Sequence, residues 1–221
     1  MPQKPKTHNH NIGHRPAGRR PTNLRPTILL TGFGPFPGVE ENISGRLIVT
    51  LAKQARAEFP DYRIRSSVLP TEWHTAPKRV TALFQNHLPV LALHFGVTKE
   101  ANGFRLETRG LNICRGSEDA AGCMPLSPEL VAEGARAHAA TLPVVSIARH
   151  LEARGFPVSI SDDAGGYLCN AVLYHALQTV AVSGRPCRVG FVHIPPDLSR
   201  PPLSFEAAVA GSLEIIRCGL E

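Results

Sequence analysis

The segment Ser161-Asp-Asp-Ala-Gly-Gly-Tyr-Leu-Cys-Asn170 concentrates residue types that can do chemistry. A short apolar run ends at Ser161, two glycines permit a tight turn, and a helical pattern begins near Tyr167, which puts Cys169 in a first helical turn. The unpaired amides and dipole of a helix start favour negative charge, so a thiol there holds more of the nucleophilic thiolate. The competing reading is that Cys169 is a small buried hydrophobe. A thiol nucleophile needs an imidazole that takes its proton and then hands a proton to the leaving group. Three of the ten histidines lie before residue 27, and most others fall on predicted helices or ahead of strands. His193 differs, because Gly190-Phe-Val-His-Ile-Pro-Pro-Asp197 sets it near the end of an apolar strand; its bland alternative is a satisfied core histidine. A carboxylate would orient that ring. Glu107, in Phe104-Arg-Leu-Glu-Thr-Arg-Gly-Leu-Asn112, is one candidate, and Asp162 and Asp163 are others. Beside Arg105 and Arg109, Glu107 also reads as half of a surface ion pair.

The elements that must carry these residues follow from apolar periodicity. Thr27–Thr31 is a buried strand meeting the turn Gly32-Phe-Gly-Pro-Phe-Pro-Gly38. Ser44 is expected to cap a helix to about Phe59, with Leu47, Ile48, Leu51 and Ala55 on its buried face. Arg63–Leu69 reads as a strand, Thr71 as the cap of a helix through Asn86, and Pro89–Phe95 as a central strand covered on both faces. Leu106–Ile113 reads as extended. Residues 114–141 read as a long loop, with a short helix opening at Ser127-Pro128. A helix then runs from about Thr141, stopped by Gly155. Pro157–Ser161 is strand, Tyr167–Val182 helix, Arg188–Pro195 strand and Ser204–Cys218 a closing helix. Alternating strands and helices predict a three-layer α/β/α sandwich with a largely parallel central sheet in one domain, residues 27–221. In such sheets ligands gather at the carboxyl ends of strands, so Cys169, His193 and Glu107 are expected at adjacent strand-ends.

Composition narrows the classes. The chain has 221 residues and a formal charge of +6. Residues 1–26 carry six of the 24 basic residues, five prolines, three histidines and no acidic residue. The 18 basic residues left in 27–221 balance the 18 acidic ones. Residues 1–26 therefore read as a basic, proline-rich disordered tail, and a neutral body argues against nucleic acid as the partner; binding by the tail alone would be salt-sensitive. No apolar run approaches the roughly 18 residues of a membrane span, and no apolar core follows the leading basic residues. Five cysteines at 114, 123, 169, 187 and 218 form no C-x-x-C pair and no zinc-like spacing with histidine, so neither a disulfide framework nor a metal site is expected and a reducing cytoplasm fits. The prolines of the 32–38 turn remove donors that a phosphate cradle needs. No cofactor is expected.

The motifs ILLTGFGPFPG, HFG, the Glu107 segment ending at Asn112, AGGYLCNAVLY and GFVHIP, in this order, resemble the pyroglutamyl peptidase I (pyrrolidone-carboxylate peptidase) family, cysteine peptidases of the cytosol. The likeness runs from about Ile28 to His193. It implies an exopeptidase that hydrolyses the amide bond after an N-terminal pyroglutamyl residue through an acyl-enzyme on Cys169, with His193 as general base and Glu107 as its orienting carboxylate. It also implies Phe33, Phe36 and Tyr167 as aromatic walls for the lactam ring, and a homo-oligomer, commonly a tetramer. Val97 stands where the family usually has glutamine at the substrate site, Thr98–Gly103 replaces a Gly-Gly-Arg stretch, Thr108 replaces an arginine, and in Ile113-Cys-Arg-Gly-Ser117, where the family has another arginine near the site, only Arg115 is available, out of register. Two alternatives stay open at this point: the same triad acting on another small N-acyl or lactam amide, and a catalytically silent binding relative.

Overall fold

The computed structural model describes residues 25–221; the tail assigned to residues 1–26 lies, but for Arg25 and Pro26, outside them. Six strands form one sheet in the order β2-β1-β3-β8-β4-β7, comprising β1 (Thr27–Phe33), β2 (Arg63–Leu69), β3 (Leu91–Val97), β4 (Phe104–Glu107), β7 (Val158–Ser161) and β8 (Arg188–Ile194). A two-stranded ribbon pairs β5 (Arg109–Leu111) with β6 (Ala137–Ala139). Strands β2, β1, β3 and β8 run parallel; β4 pairs antiparallel with β8 and parallel with β7.

Helices cover both faces. On one, α1 (Ile43–Glu58), α3 (Val144–Ala153) and α5 (Phe205–Leu220) pack Leu47, Ile147 and Ile215 against Ile28, Leu30, Phe95, Leu106 and Val192. On the other, α2 (Ala76–His87) and α4 (Leu168–Ser183) pack Phe84 and Leu173 against Leu29, Ala92, Val189 and Phe191. The three-layer sandwich with a largely parallel sheet is thus as the sequence predicted, because near-continuous apolar runs such as β3 are what a strand covered on both sides requires.

Strand alternation decides what faces α4. Phe95, Leu106 and Val192 point into the α1/α3/α5 layer, so their neighbours Gly96, Arg105, Glu107 and His193 must point the other way. That face receives the first turn of α4.

Several local expectations are corrected. Asn42, not Ser44, caps α1, with its side chain accepting the Ser44 amide. The hydroxyl of Thr71 donates to the Gly34 carbonyl rather than capping α2, which begins five residues later. The extended stretch Leu106–Ile113 splits at Thr108 into strands of two different sheets. Ser127-Pro128 opens no helix; the loop around it instead contributes β6. Glu107 and Ser161 do not end strands at the same edge as His193, because β4 and β7 run against β8. The carboxyl-end rule presumes parallel neighbours and fails for these two strands.

Candidate active site

Cys169 is the second residue of α4. The turn before it is built locally: the Asp163 carboxylate accepts the Gly165 amide at 2.9 Å, and Gly165 takes φ +81, a left-handed conformation that suits glycine. Arg109 clamps the same turn through the Asp162 carbonyl and carboxylate. Asn170, fully buried, accepts the Leu111 amide at 2.8 Å and donates to the Leu111 and Ile113 carbonyls. This side-chain amide substitutes for a strand partner and fixes the start of α4 against the segment leaving β5. The N-cap, Tyr167, makes no side-chain capping bond, so the first amides of α4 have no side-chain acceptor there.

His193 comes from β8, in register with Gly96 of β3 on one side and Arg105 of β4 on the other. Its Nδ1 lies 2.8 Å from Oε1 of Glu107, which is fully buried. Burial lowers the His193 pKa, but the charge and hydrogen bond of the Cys169 side chain and those of Glu107 outweigh it and raise it to about 9. The imidazolium form of His193 is therefore favoured where it stands. Gly96 makes the approach possible. A Cβ there would sit 2.8 Å from the Cys169 sulfur and 2.8 Å from Cζ of Phe191.

Cys169 and His193 border a cavity of about 290 Å³. Phe36, Val97 and Tyr167 give it apolar surface; Thr98, Glu100, Arg105, Arg115 and Asp163 give it a polar rim. Of the residues singled out from sequence, Cys169, His193, Phe36, Val97 and Tyr167 thus converge, with Glu107 directly behind His193. Phe33 does not join them. It is 2% exposed and packs its ring 6.4 Å from Phe191, beneath the cavity. Asp163 reaches the rim as the partner of Arg115, at 3.0 Å, and not as the orienting carboxylate; Asp162 is held by Arg109.

The wall at Tyr167 is braced by residues that the motifs did not single out. Its ring meets Trp73 edge-on at 5.2 Å, and its hydroxyl donates to the Glu118 carbonyl at 3.0 Å. Burial, then the charges of Asp119 and Cys169, push the phenol up to about 12, so it stays a neutral donor. Asp119, 1% exposed, accepts the amides of Trp73, Ala121 and Cys123. This carboxylate sits inside what reads in sequence as a featureless loop. An acidic residue followed within four positions by glycine and small residues is the only local sign of such a turn.

Against known families, residues 26–212 match the model described as pyroglutamyl peptidase. A pyrrolidone-carboxylate peptidase of Vibrio vulnificus is 33% identical over 202 residues, covering 86% of this chain and 92% of its own length. One of Bacillus cytotoxicus is 27% identical over 203 residues, covering 88% and 93%. Among solved structures, a single-residue variant of pyrrolidone carboxyl peptidase from Pyrococcus furiosus superposes with TM-score 0.79 at 28% identity, covering 88% of this chain and 98% of that one.

Proposed function

The chain belongs to the pyroglutamyl peptidase family, and from that premise we propose that it is a cysteine exopeptidase cleaving the amide bond after an N-terminal pyroglutamyl residue, with Cys169 as nucleophile, His193 as acid and base, and Glu107 as the carboxylate that orients His193. The observation that carries this reading is the line of Glu107, His193 and Cys169 opening onto a cavity walled by Phe36 and Tyr167. A lactam carries no charged amine, so flat apolar walls with a few hydrogen bonds suit it.

The Cys169 thiolate attacks the carbonyl carbon joining pyroglutamate to the next residue. The oxyanion forms beside the first amides of α4, a stabilisation worth about 3 kcal/mol per donor in other hydrolases. As the C–N bond breaks, the imidazolium of His193 gives its proton to the departing amine, and a pyroglutamyl thioester remains on Cys169. Water then attacks that thioester while His193 takes a proton from it, releasing pyroglutamate and restoring the thiolate–imidazolium pair. Glu107 keeps its charge throughout and holds the ring with Nδ1 facing inward.

The same reading extends to a homo-oligomer, expected as a tetramer and checked by light scattering. It also places the protein in the cytoplasm, a location consistent with five unpaired cysteines and checked by fractionation. The test of the activity is a series of fluorogenic amides. L-Pyroglutamyl amide is expected to turn over, and the prolyl amide, which lacks the lactam carbonyl and carries a charged nitrogen, is not. Turnover of an acyclic N-acyl amide in preference to the lactam would move the substrate class and leave the triad in place.

A further inference from the structure

Arg105 carries more than a surface ion pair would. It lies on β4 two positions before Glu107, in register with His193 across the β4–β8 pair. Its Nε stands 3.4 Å from Oε1 of Glu107, the oxygen that His193 also uses. Its Nη1 stands 3.2 Å from Glu100, an exposed carboxylate on the cavity rim. Glu107 itself is fully buried, and its Oε2 has no hydrogen-bond partner among the described residues. A buried carboxylate so poorly satisfied is costly unless cations face it, and among the described residues those facing Glu107 are His193 and Arg105.

We propose that Arg105 is a positioning residue for the hydrolytic reaction, holding Glu107 against His193 and setting through its charge the pH range in which the Cys169–His193 pair is ionised, with Glu100 moderating that charge. The inference rests on the roles assigned above to Cys169, His193 and Glu107. The groups that face Arg105 come from every neighbouring element. Glu107 shares its strand and His193 lies on β8. Glu100 lies in the loop after β3, Asp163 and Arg115 pair across the cavity rim, and Tyr167 and Cys169 begin α4. The field of Arg105 reaches across the cavity: although burial pushes the Asp163 carboxyl up, the Arg115 and Gly165 hydrogen bonds and the charges of Arg115 and Arg105 hold it below the ordinary carboxylate range. A positive charge in that position favours the thiolate and disfavours the imidazolium, so its removal moves both ionisations to higher pH.

The readout is the rate of Cys169 alkylation by iodoacetamide as a function of pH, followed by peptide mapping, beside the pH profile of kcat/KM. Arg105→Gln is expected to move the midpoint of the alkylation rise, and both limbs of kcat/KM, upward by about half a unit or more. Arg105→Lys is expected to leave them near the parent, and Glu100→Gln to move them downward. An unchanged midpoint in Arg105→Gln, or an upward or absent shift in Glu100→Gln, overturns the proposal and leaves Arg105 a structural ion pair. If Arg105→Gln does not fold, Glu100→Gln decides alone. Alkylation needs no substrate, so a chain that shows these shifts without hydrolysing a pyroglutamyl amide contradicts the substrate assignment and not this inference.

Discussion

At the scale of single residues, the proposed chemistry needs three side chains and, at Gly96, the absence of one. Glu107→Gln leaves a neutral partner for His193 and permits the wrong tautomer. It is expected to lower kcat by ~10²–10⁴ with little change in KM, as steady-state kinetics on a pyroglutamyl amide would show. The high pKa of His193, about 9, places the alkaline limb of kcat/KM near that value, since loss of the imidazolium removes the acid that protonates the leaving amine. A limb near the ordinary histidine value of about 6.5 would contradict the pairing. Gly96→Ala tests close approach. The added methyl would push against the Cys169 sulfur and the Phe191 ring, and a displaced nucleophile is expected to cost about 10²-fold in kcat/KM. That Cys169 and His193 meet at one cavity was legible in the sequence because their surroundings are local: a glycine turn before a helix, and a histidine ending an apolar strand. Phe33 was not, because whether an aromatic beside a turn faces a cavity or the core depends on the strand's parity. Phe33 lies at the end of β1, two residues from Thr31 and four from Leu29, in the layer beneath α2 and α4.

At the scale of elements, the site is made by an antiparallel intrusion into a parallel sheet. Period-two alternation aims Gly96, Arg105, Glu107 and His193 at one face, and Asn170 ties the start of α4 to the chain leaving β5. The direction of β4 is invisible in its four residues. An apolar stretch that short fits either direction, and pairing is decided by the connections around it. The loop at 113–123 was likewise opaque, because its order comes from one buried carboxylate gathering three backbone amides. Asp119→Ala strands those donors and loosens Trp73 behind Tyr167. Each unsatisfied buried group costs about 1–3 kcal/mol. We expect KM for the pyroglutamyl amide to rise about tenfold or more while kcat changes less, because the loop shapes the cavity wall and not the triad. An equal fall in kcat with KM unchanged would tie the loop to the chemistry instead.

At the scale of the whole molecule, the apolar runs and helix periods sufficed for the three layers, since each strand and helix buries surface on its own pattern. Stability should carry the mark of a buried histidine. His94 is fully buried on β3, 2.7 Å from the Thr31 hydroxyl and stacked between Phe84 and Phe191. Burial lowers its pKa to about 3. The unfolded chain binds this proton near pH 6.5 and the native chain does not until about 3, so stability falls as pH drops through that window, by up to about 1.4 kcal/mol per unit. His193 acts in the opposite sense and elsewhere: its raised pKa adds stability that is complete below about 6.5 and lost as pH rises through 9. Thermal unfolding from pH 6.5 to 4 is expected to show a shallower decline for His94→Asn than for the parent chain. Parallel curves would mean that other groups set the acid limit.

Whether Cys169 is the nucleophile is decided by hydrolysis of a fluorogenic L-pyroglutamyl amide by the parent chain and by Cys169→Ala, with both confirmed folded by circular dichroism. Turnover is expected from the parent and a loss of several orders of magnitude in the variant, since a methyl group can form no thioester. Turnover that survives in folded Cys169→Ala would contradict Cys169 as nucleophile, and with it the roles given to His193 and Glu107.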